Sequence, residues 1–309
     1  MGFKGFSCPV CPSLQLNREQ ALEHLPVAHG GIVPAAVVEA IWQHEESHRR
    51  DGNHISPSMA GGCMRERVLE RTKDQWLDPL RSWKMLEGSF WHEVMAKYNP
   101  PGWLSEVELP KAMIDPSGES MGEGFRCLNG VYEYELFPGL WFSLAIDSLR
   151  ADYRKLIDYK TKDAPFWTKD KATGKPICYT GNYPLNYEYQ LQLNLYGLMV
   201  KRLYGLDQLP EMEIWSLFKG IKDSAKAWKL EVVAPIDETD VEAAVRPNYE
   251  LFLTSMRQVH YQGDAAIAKM PLQGLTMYQD AKFPGINKCT AYCGQADECG
   301  RIAGGGLEL

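Results

Sequence analysis

Apolar positions along the chain change rhythm several times. Val37, Val38 and Ile41 fall on one side of a helix that Pro34 opens and Asp51-Gly52 closes, with the polar run "HEESHRRD" on its solvated face. Ser56-Pro57 is predicted to open another helix through "SMAGGCMRERVLERTK", and "SWKMLEGSFWHEVMAKY" continues at helical spacing. The texture then turns to alternation and to β-branched or aromatic runs. "WLSEVELPKAM", "RCLNGVYEYEL", "GLWFSLAIDSLRA" and "YRKLIDYKTK" are expected as successive strands joined by short turns. From about Tyr183, "NYEYQLQLNLYGLMVKRLYG" returns to the helical period. Strands "EMEIWSLFKG" and "AWKLEVV" follow, then a helix from Asp237 to about Tyr261. A helix, sheet, helix, sheet order of this kind predicts one α/β domain with a mixed sheet.

Composition narrows the class. The chain has 309 residues, 45% hydrophobic and 24% charged, enough for one large core or a core with a small appended module. No apolar run reaches the length of a bilayer span, and "MGFKGFSCPVCP" lacks the charged-then-apolar order of a secretory signal, so a cytoplasmic protein without a membrane partner is expected. In that compartment eight cysteines point to metal or redox chemistry rather than disulfides. The net charge of −7 excludes a protein that coats nucleic acid all over, though a local basic groove beside an acidic metal site stays compatible with it.

Two cysteine-bearing regions stand out. Cys8, Cys11, His24 and His29 follow a C-x2-C-x12-H-x4-H spacing within the range of zinc fingers. Asn17 and Gln20 read as a capping box, placing His24 on a short helix facing the cysteines. Residues 1–32 are therefore expected as a small zinc-finger-like module and 33–309 as the main domain. Cys63, and later Cys289, Cys293 and Cys299, make one early and three late thiols; Cys127 and Cys178 read as buried fillers.

The candidate chemistry sits where the alternation is strongest. Asp147 ends the predicted apolar strand "FSLAID", and Asp158 lies on the next predicted strand, with Lys160 two residues on and so on the same face. Two carboxylates about 4 Å apart repel by roughly 4 kcal/mol at an effective dielectric near 20, so the pair needs a cation. Magnesium or manganese suits oxygen ligands and can activate a water, while Lys160 can stabilise charge on a phosphoryl oxygen.

These residues come in a wider order: Gly88-x3-His92, then Asp147, then Asp158-x-Lys160, then Gln192-x3-Tyr196. In that order, over roughly residues 54 to 299, the chain resembles the RecB-like branch of the PD-(D/E)XK nuclease superfamily. The resemblance implies a restriction-endonuclease-like mixed sheet flanked by helices. It implies His92, Asp147 and Asp158 as metal ligands, Lys160 as the catalytic lysine, and Gln192 with Tyr196 as support for the site or the nucleic acid. Glu108, or Glu106, corresponds to an acidic residue that the family often carries before the second strand. Cys63 with Cys289, Cys293 and Cys299 resembles the cysteine-rich staple of AddB-type and CRISPR-associated RecB-like exonucleases, which implies a 4Fe-4S cluster closing the domain's two ends. The last three are spaced C-x3-C-x5-C where C-x2-C-x5-C is more usual, and a four-cysteine zinc site is the competing reading.

"HEESHRRDGNH" also matches a zinc protease pattern through His44, His48 and His54. Only 43 residues precede His44, about 30 of them in the cysteine-histidine module, which leaves no room for the sheet such a site requires.

The sequence therefore predicts a magnesium- or manganese-dependent DNA exonuclease acting on single-stranded or frayed ends in recombination, repair, phage replication or CRISPR adaptation. Arg65, Arg67, Arg71 and Lys73, with Arg154, Lys155, Lys162, Lys169, Lys171 and Lys175, offer a rim for phosphates. Tyr159, Phe166, Trp167 and Tyr179 offer stacking surfaces among them. No G-x4-G-K-[ST] loop is present, so helicase activity would come from a recombination or CRISPR partner protein. The competing class is a non-catalytic DNA-end-binding adaptor.

Overall fold

In a computed structural model of the chain, the structure describes residues 3–11, 13–28, 31, 33–47, 55–108, 123–128, 131–143, 145–163, 167–169, 176–178, 187–219, 227–271, 298–299 and 302. They form a mixed α/β protein that divides into two compact units. The first comprises 1–53, 62–89 and 247–309; the second comprises 54–61 and 90–246. No helix among the described residues is long and apolar enough to cross a membrane.

In the first unit, β1 (Phe3–Ser7) pairs antiparallel with β2 (Gln15–Leu16) and parallel with β3 (Gln75–Leu77). At Gly5 the backbones run so close that a Cβ would lie 2.1 Å from the Leu16 carbonyl oxygen. Helix α1 (Arg18–His24) starts at Asn17, whose side chain accepts from Gln20 N at 3.0 Å while Gln20 Oε1 accepts from Asn17 N at 3.0 Å. Helix α2 (Ala35–Ser47) buries Val38 and Ile41 against Phe6, Leu16, Ala21 and Leu25. Trp42 meets Phe3 edge-on at 4.7 Å between ring centres.

Three sequence expectations shift at element ends. The helix predicted from Ser56 breaks into α3 (Pro57–Ala60) and α4 (Met64–Thr72), because Gly61-Gly62 favours neither and Cys63 is extended at φ −73°. Helix α5 (Pro79–Lys97) begins earlier than its apolar period suggests: Asp78 Oδ1 accepts from Leu80 N at 2.8 Å and Pro79 needs no donor. "RCLNGVYEYEL" is two strands, β5 (Phe125–Leu128) and β6 (Val131–Phe137), paired antiparallel with Leu128 opposite Val131.

The second unit holds two larger sheets and a short pair. β5, β6 and β7 (Leu140–Ser143) form one antiparallel sheet. The other has five strands in the order β13-β12-β9-β8-β4, from β4 (Trp103–Glu108), β8 (Ala145–Arg150), β9 (Lys155–Asp163), β12 (Glu211–Lys219) and β13 (Trp228–Val232). Strands β10 (Trp167–Lys169) and β11 (Pro176–Cys178) pair with each other. Central β9 runs parallel to β12 and antiparallel to β8, which makes the five-stranded sheet mixed.

Helix α6 (Tyr187–Leu203) is buried continuously from Leu191 to Val200, and burying each large aliphatic side chain contributes about 1.5–3 kcal/mol. Gly197 lets it lie close to β12, where a Cβ would be 2.9 Å from Met212 Sδ. Asn194, fully buried in the middle of that helix, is satisfied by donating to Gln190 O and Ala234 O and accepting from Ile236 N. Helices α7 (Glu238–Gln262), with Pro247 inside it, and α8 (Asp264–Ala268) follow.

Candidate active site

The β8–β9 ladder pairs Leu149 with Leu156 and Ser148 with Ile157, and one more step sets Asp147 across from Asp158. There the backbone ladder gives way to a side chain: Asp147 Oδ2 accepts from the Tyr159 backbone N at 2.7 Å. Directly opposed residues of an antiparallel pair share a face, and so do positions two apart on a strand. Asp147, Asp158 and Lys160 are therefore gathered on one face of the five-stranded sheet. Lys160 Nζ lies 2.7 Å from Asp158 Oδ2.

Helices supply the remaining groups. On α5, His92 Nδ1 lies 3.1 Å from Asp147 Oδ1. On α6, buried Gln192 donates from Nε2 to Asp158 Oδ1 at 3.1 Å. One turn on, buried Tyr196 lies on the same face of α6 as Gln192. Tyr189, one turn before Gln192, places its ring 5.1 Å from Lys160 Nζ. Sequence reading did not single out Tyr189, although its spacing from Gln192 puts both on one helix face.

The two carboxyls are driven apart in acidity. Burial pushes Asp158 up to about 6, helped by the charge of Asp147 and opposed by Lys160. Burial also raises Asp147, but the His92 hydrogen bond and charge, Lys160 and the Tyr159 N–H together hold it below its ordinary value. His92 is held above its usual range by its bond to Asp147, against its burial. Burial opposes the charge on Lys160, yet Asp158 and Asp147 keep it above the ordinary lysine range. Burial, with both aspartates nearby, raises Tyr196, so its hydroxyl stays protonated. Two neighbouring carboxyls with opposite shifts are characteristic of sites that move protons or bind cations.

The donor set of two carboxylates and an imidazole suits a hard divalent cation, whose charge would favour the ionised form of Asp158. Among the described residues no three His, Cys, Asp or Glu side chains lie close enough to hold an ion as they stand. A cation at Asp147 would replace the His92 hydrogen bond rather than add to it.

The cysteine sites are placed in part. Cys8 and Cys11 share a turn in which Cys11 N donates to Cys8 Sγ at 3.4 Å. His24 ends α1 but is not gathered with them into a three-ligand set, and His29 lies outside the described residues. Cys63 and Cys299 are both buried free thiols, and their surroundings meet at Arg65. That buried guanidinium donates to Cys299 O and Met270 O, each at 3.3 Å, while its Nε has no partner among the described residues. Burial raises the Cys299 thiol, Arg65 lowers it, and Cys63 raises it. A buried cation with a spare donor beside two thiols fits an anionic thiolate-bound group. Cys289 and Cys293 lie outside the described residues.

Of the protease-like run, His44 shares a 3.1 Å hydrogen bond with Ser89 Oγ, and His48 and His54 lie outside the described residues. The same holds for Phe166, Lys171, Lys175 and Tyr179, and for the side chains of Glu106, Glu108, Cys127, Trp167, Lys169 and Cys178.

No protein-family profile and no curated protein matches the chain. A solved structure titled "Crystal structure of SSO0001" is similar with a TM-score of 0.39 and 13% identity, over 70% of this chain and 84% of its own.

Proposed function

We propose that the protein is a metal-dependent deoxyribonuclease of the PD-(D/E)XK, RecB-like type, hydrolysing phosphodiester bonds at single-stranded or frayed DNA ends. The observation that carries this reading is the convergence of Asp147, Asp158, Lys160, His92 and Gln192 on one face of a mixed sheet. The finer fold assignment, a restriction-endonuclease-like core, belongs to the same proposal. So does the cytoplasmic setting, with a helicase, recombination or CRISPR protein as partner.

Each side chain has a part in such a reaction. Asp147, Asp158 and His92 would hold magnesium or manganese, which supplies an activated water and neutralises phosphate charge when bound. Lys160, now paired with Asp158, would offer its ammonium to the charge that grows on the phosphoryl oxygen. Gln192 fixes one oxygen of Asp158, and buried Tyr196 would support the same helix face. The Tyr159 N–H orients Asp147, as His92 does until a cation takes its place. The Cys63 and Cys299 environment supports a 4Fe-4S cluster or a structural zinc, completed by Cys289 and Cys293. Cys8 and Cys11, with His24 and His29, would form a zinc site in the N-terminal module.

Labelled single-stranded DNA incubated with manganese tests the centre. Asp158→Ala and Lys160→Ala should each lower cleavage by about a thousandfold or more while leaving DNA binding in place. Cleavage that survives both changes removes the proposed centre. Binding by the unaltered protein with no cleavage under any divalent cation would favour the end-binding adaptor.

A further inference from the structure

The sheet continues the chemistry of its catalytic face toward one edge. Ser216 on β12 is in register with Lys160 on β9 and with Lys229 on β13, so the three form a row on the face that carries Asp158. Lys162 stands one row further along β9. Glu231 lies between the outer cations: Lys229 Nζ is 3.0 Å from its Oε1 and Lys162 Nζ is 3.6 Å from its Oε2. The Tyr189 ring that faces Lys160 also faces Lys162, at 5.8 Å. Lys162 and Lys229 keep about a third of their side chains exposed, at 32% and 39%, whereas Glu231 keeps 13%. Ser216 is fully buried, and its hydroxyl has no hydrogen-bond partner among the described residues.

We propose that Lys162 and Lys229 form a subsite for the backbone phosphate adjacent to the one cleaved at Lys160, a place that the Glu231 carboxylate fills when nucleic acid is absent. This rests on the nuclease reading and adds the path of the substrate. Two residues along a strand span about 6.6 Å, close to the step between successive phosphates of an extended single strand. Lys160 and Lys162 thus repeat at the interval of the ligand's own charges. Two ammonium groups already share one carboxylate, and the oxygens of a phosphate can take the same pair of donors. Tyr189 holds both β9 lysines against one ring, which limits the side-chain freedom lost on binding. The unpartnered Ser216 hydroxyl marks the same row as one whose polar groups are not all satisfied within the protein. The strand would therefore leave the acidic centre toward the C-terminal end of β9 and the β13 edge.

Binding of fluorescent oligothymidine to the full-length protein in EDTA, across a salt series, tests this. Lys162→Ala with Lys229→Ala should weaken binding by about tenfold and make the salt dependence shallower by about 0.7 for each phosphate left without its lysine. Lys162→Arg with Lys229→Arg should keep the salt slope, which guards against a fold defect in the alanine variant. Glu231→Gln should tighten binding, because it removes the competing anion. Weaker binding by Glu231→Gln, or an unchanged slope in the double alanine variant, would make these residues a structural ion cluster only. Manganese-dependent cleavage of the same oligonucleotide separates the two proposals. If the unaltered protein cleaves but the slope does not change, the subsite alone fails; if it neither binds nor cleaves, the nuclease reading fails with it.

Discussion

Asp147, Asp158 and Lys160 reach one another across a single antiparallel turn of chain, whereas Cys299 is tied to the segment after Cys63 by an Arg65 hydrogen bond spanning 234 residues. The acidic centre is a product of local register, and the cysteine pair is a product of tertiary closure. Electrostatics separates them again. In the centre, burial works against ionisation of Asp158 and the charged neighbours partly restore it. Around Cys299, burial opposes ionisation and Arg65 favours it. On the nuclease proposal the first region would trade stability for chemistry; the second, if it binds metal, adds stability. Changes in the centre should therefore appear in rates, and changes at the cysteines in folding.

The largest expected effect follows from the Asp158 carboxyl. With its proton released at about 6 in the metal-free protein, cleavage at subsaturating manganese should fall about tenfold per pH unit below that value, since proton and metal compete for the carboxylate. The stability effect has the opposite sign. Between its ordinary value near 3.8 and about 6, the folded state holds a proton that the unfolded chain has released. Stability from this group in the metal-free protein is therefore present below that window and is lost as pH rises through it. Melting temperatures in EDTA from pH 4 to 8 should show this decline in the unaltered protein and a weaker one in Asp158→Asn. Parallel profiles would mean that the centre carries no stored electrostatic cost.

Gln192→Leu should come next. It deletes the hydrogen bond to ionised Asp158, so the carboxyl rises further and the midpoint of the rate profile moves to higher pH. At neutral pH the rate should drop about tenfold, with part of the loss recovered at pH 9. A uniform loss at every pH would assign Gln192 to contact with the nucleic acid instead.

These features differ in how far the sequence exposed them, and the reason is the range of the contact. The Asp158-x-Lys160 face follows from strand alternation, and the Asn17–Gln20 box follows from three residues of spacing; both are visible in a short window. The row of Lys160, Ser216 and Lys229 depends on the register of three strands separated by a helix, which no local pattern carries. Strands β1 and β3 escape a local reading because their pairing is parallel and joins residues more than sixty positions apart. "SMAGGCMRERVLERTK" reads as continuous because its apolar period survives the Gly61-Gly62 break that divides it.

Cys63→Ser should sharpen the contrast from the other side. Anaerobically purified protein should lose a broad absorption near roughly 400 nm if the bound group is an iron cluster, and its melting temperature should fall by about 5 °C or more. Lys160→Ala should leave that absorption unchanged. An absorption that persists in Cys63→Ser would remove Cys63 from the ligand set, and zinc released on denaturation, with no visible band, would select the four-cysteine zinc site.

The smallest effect belongs to the N-terminal module, where metal and packing are both available as sources of order. Cys8 and Cys11 share one turn, yet Phe6, Leu16, Ala21 and Leu25 already form an apolar core with Val38 and Ile41 of α2. Helix α1 is thus held by its cap and by burial as well as by any ion at its end. Asn17→Ala breaks both bonds of the capping box and should cost about 1 kcal/mol. Because α1 has only seven residues, the loss should appear as faster hydrogen exchange confined to α1 and the Cys8–Cys11 turn. If chelation of zinc alone gives the same local pattern at several times that magnitude, metal rather than packing holds the module. If chelation leaves exchange unchanged while Asn17→Ala accelerates it, the two thiols are structural partners of one turn, and the zinc-finger spacing is fortuitous.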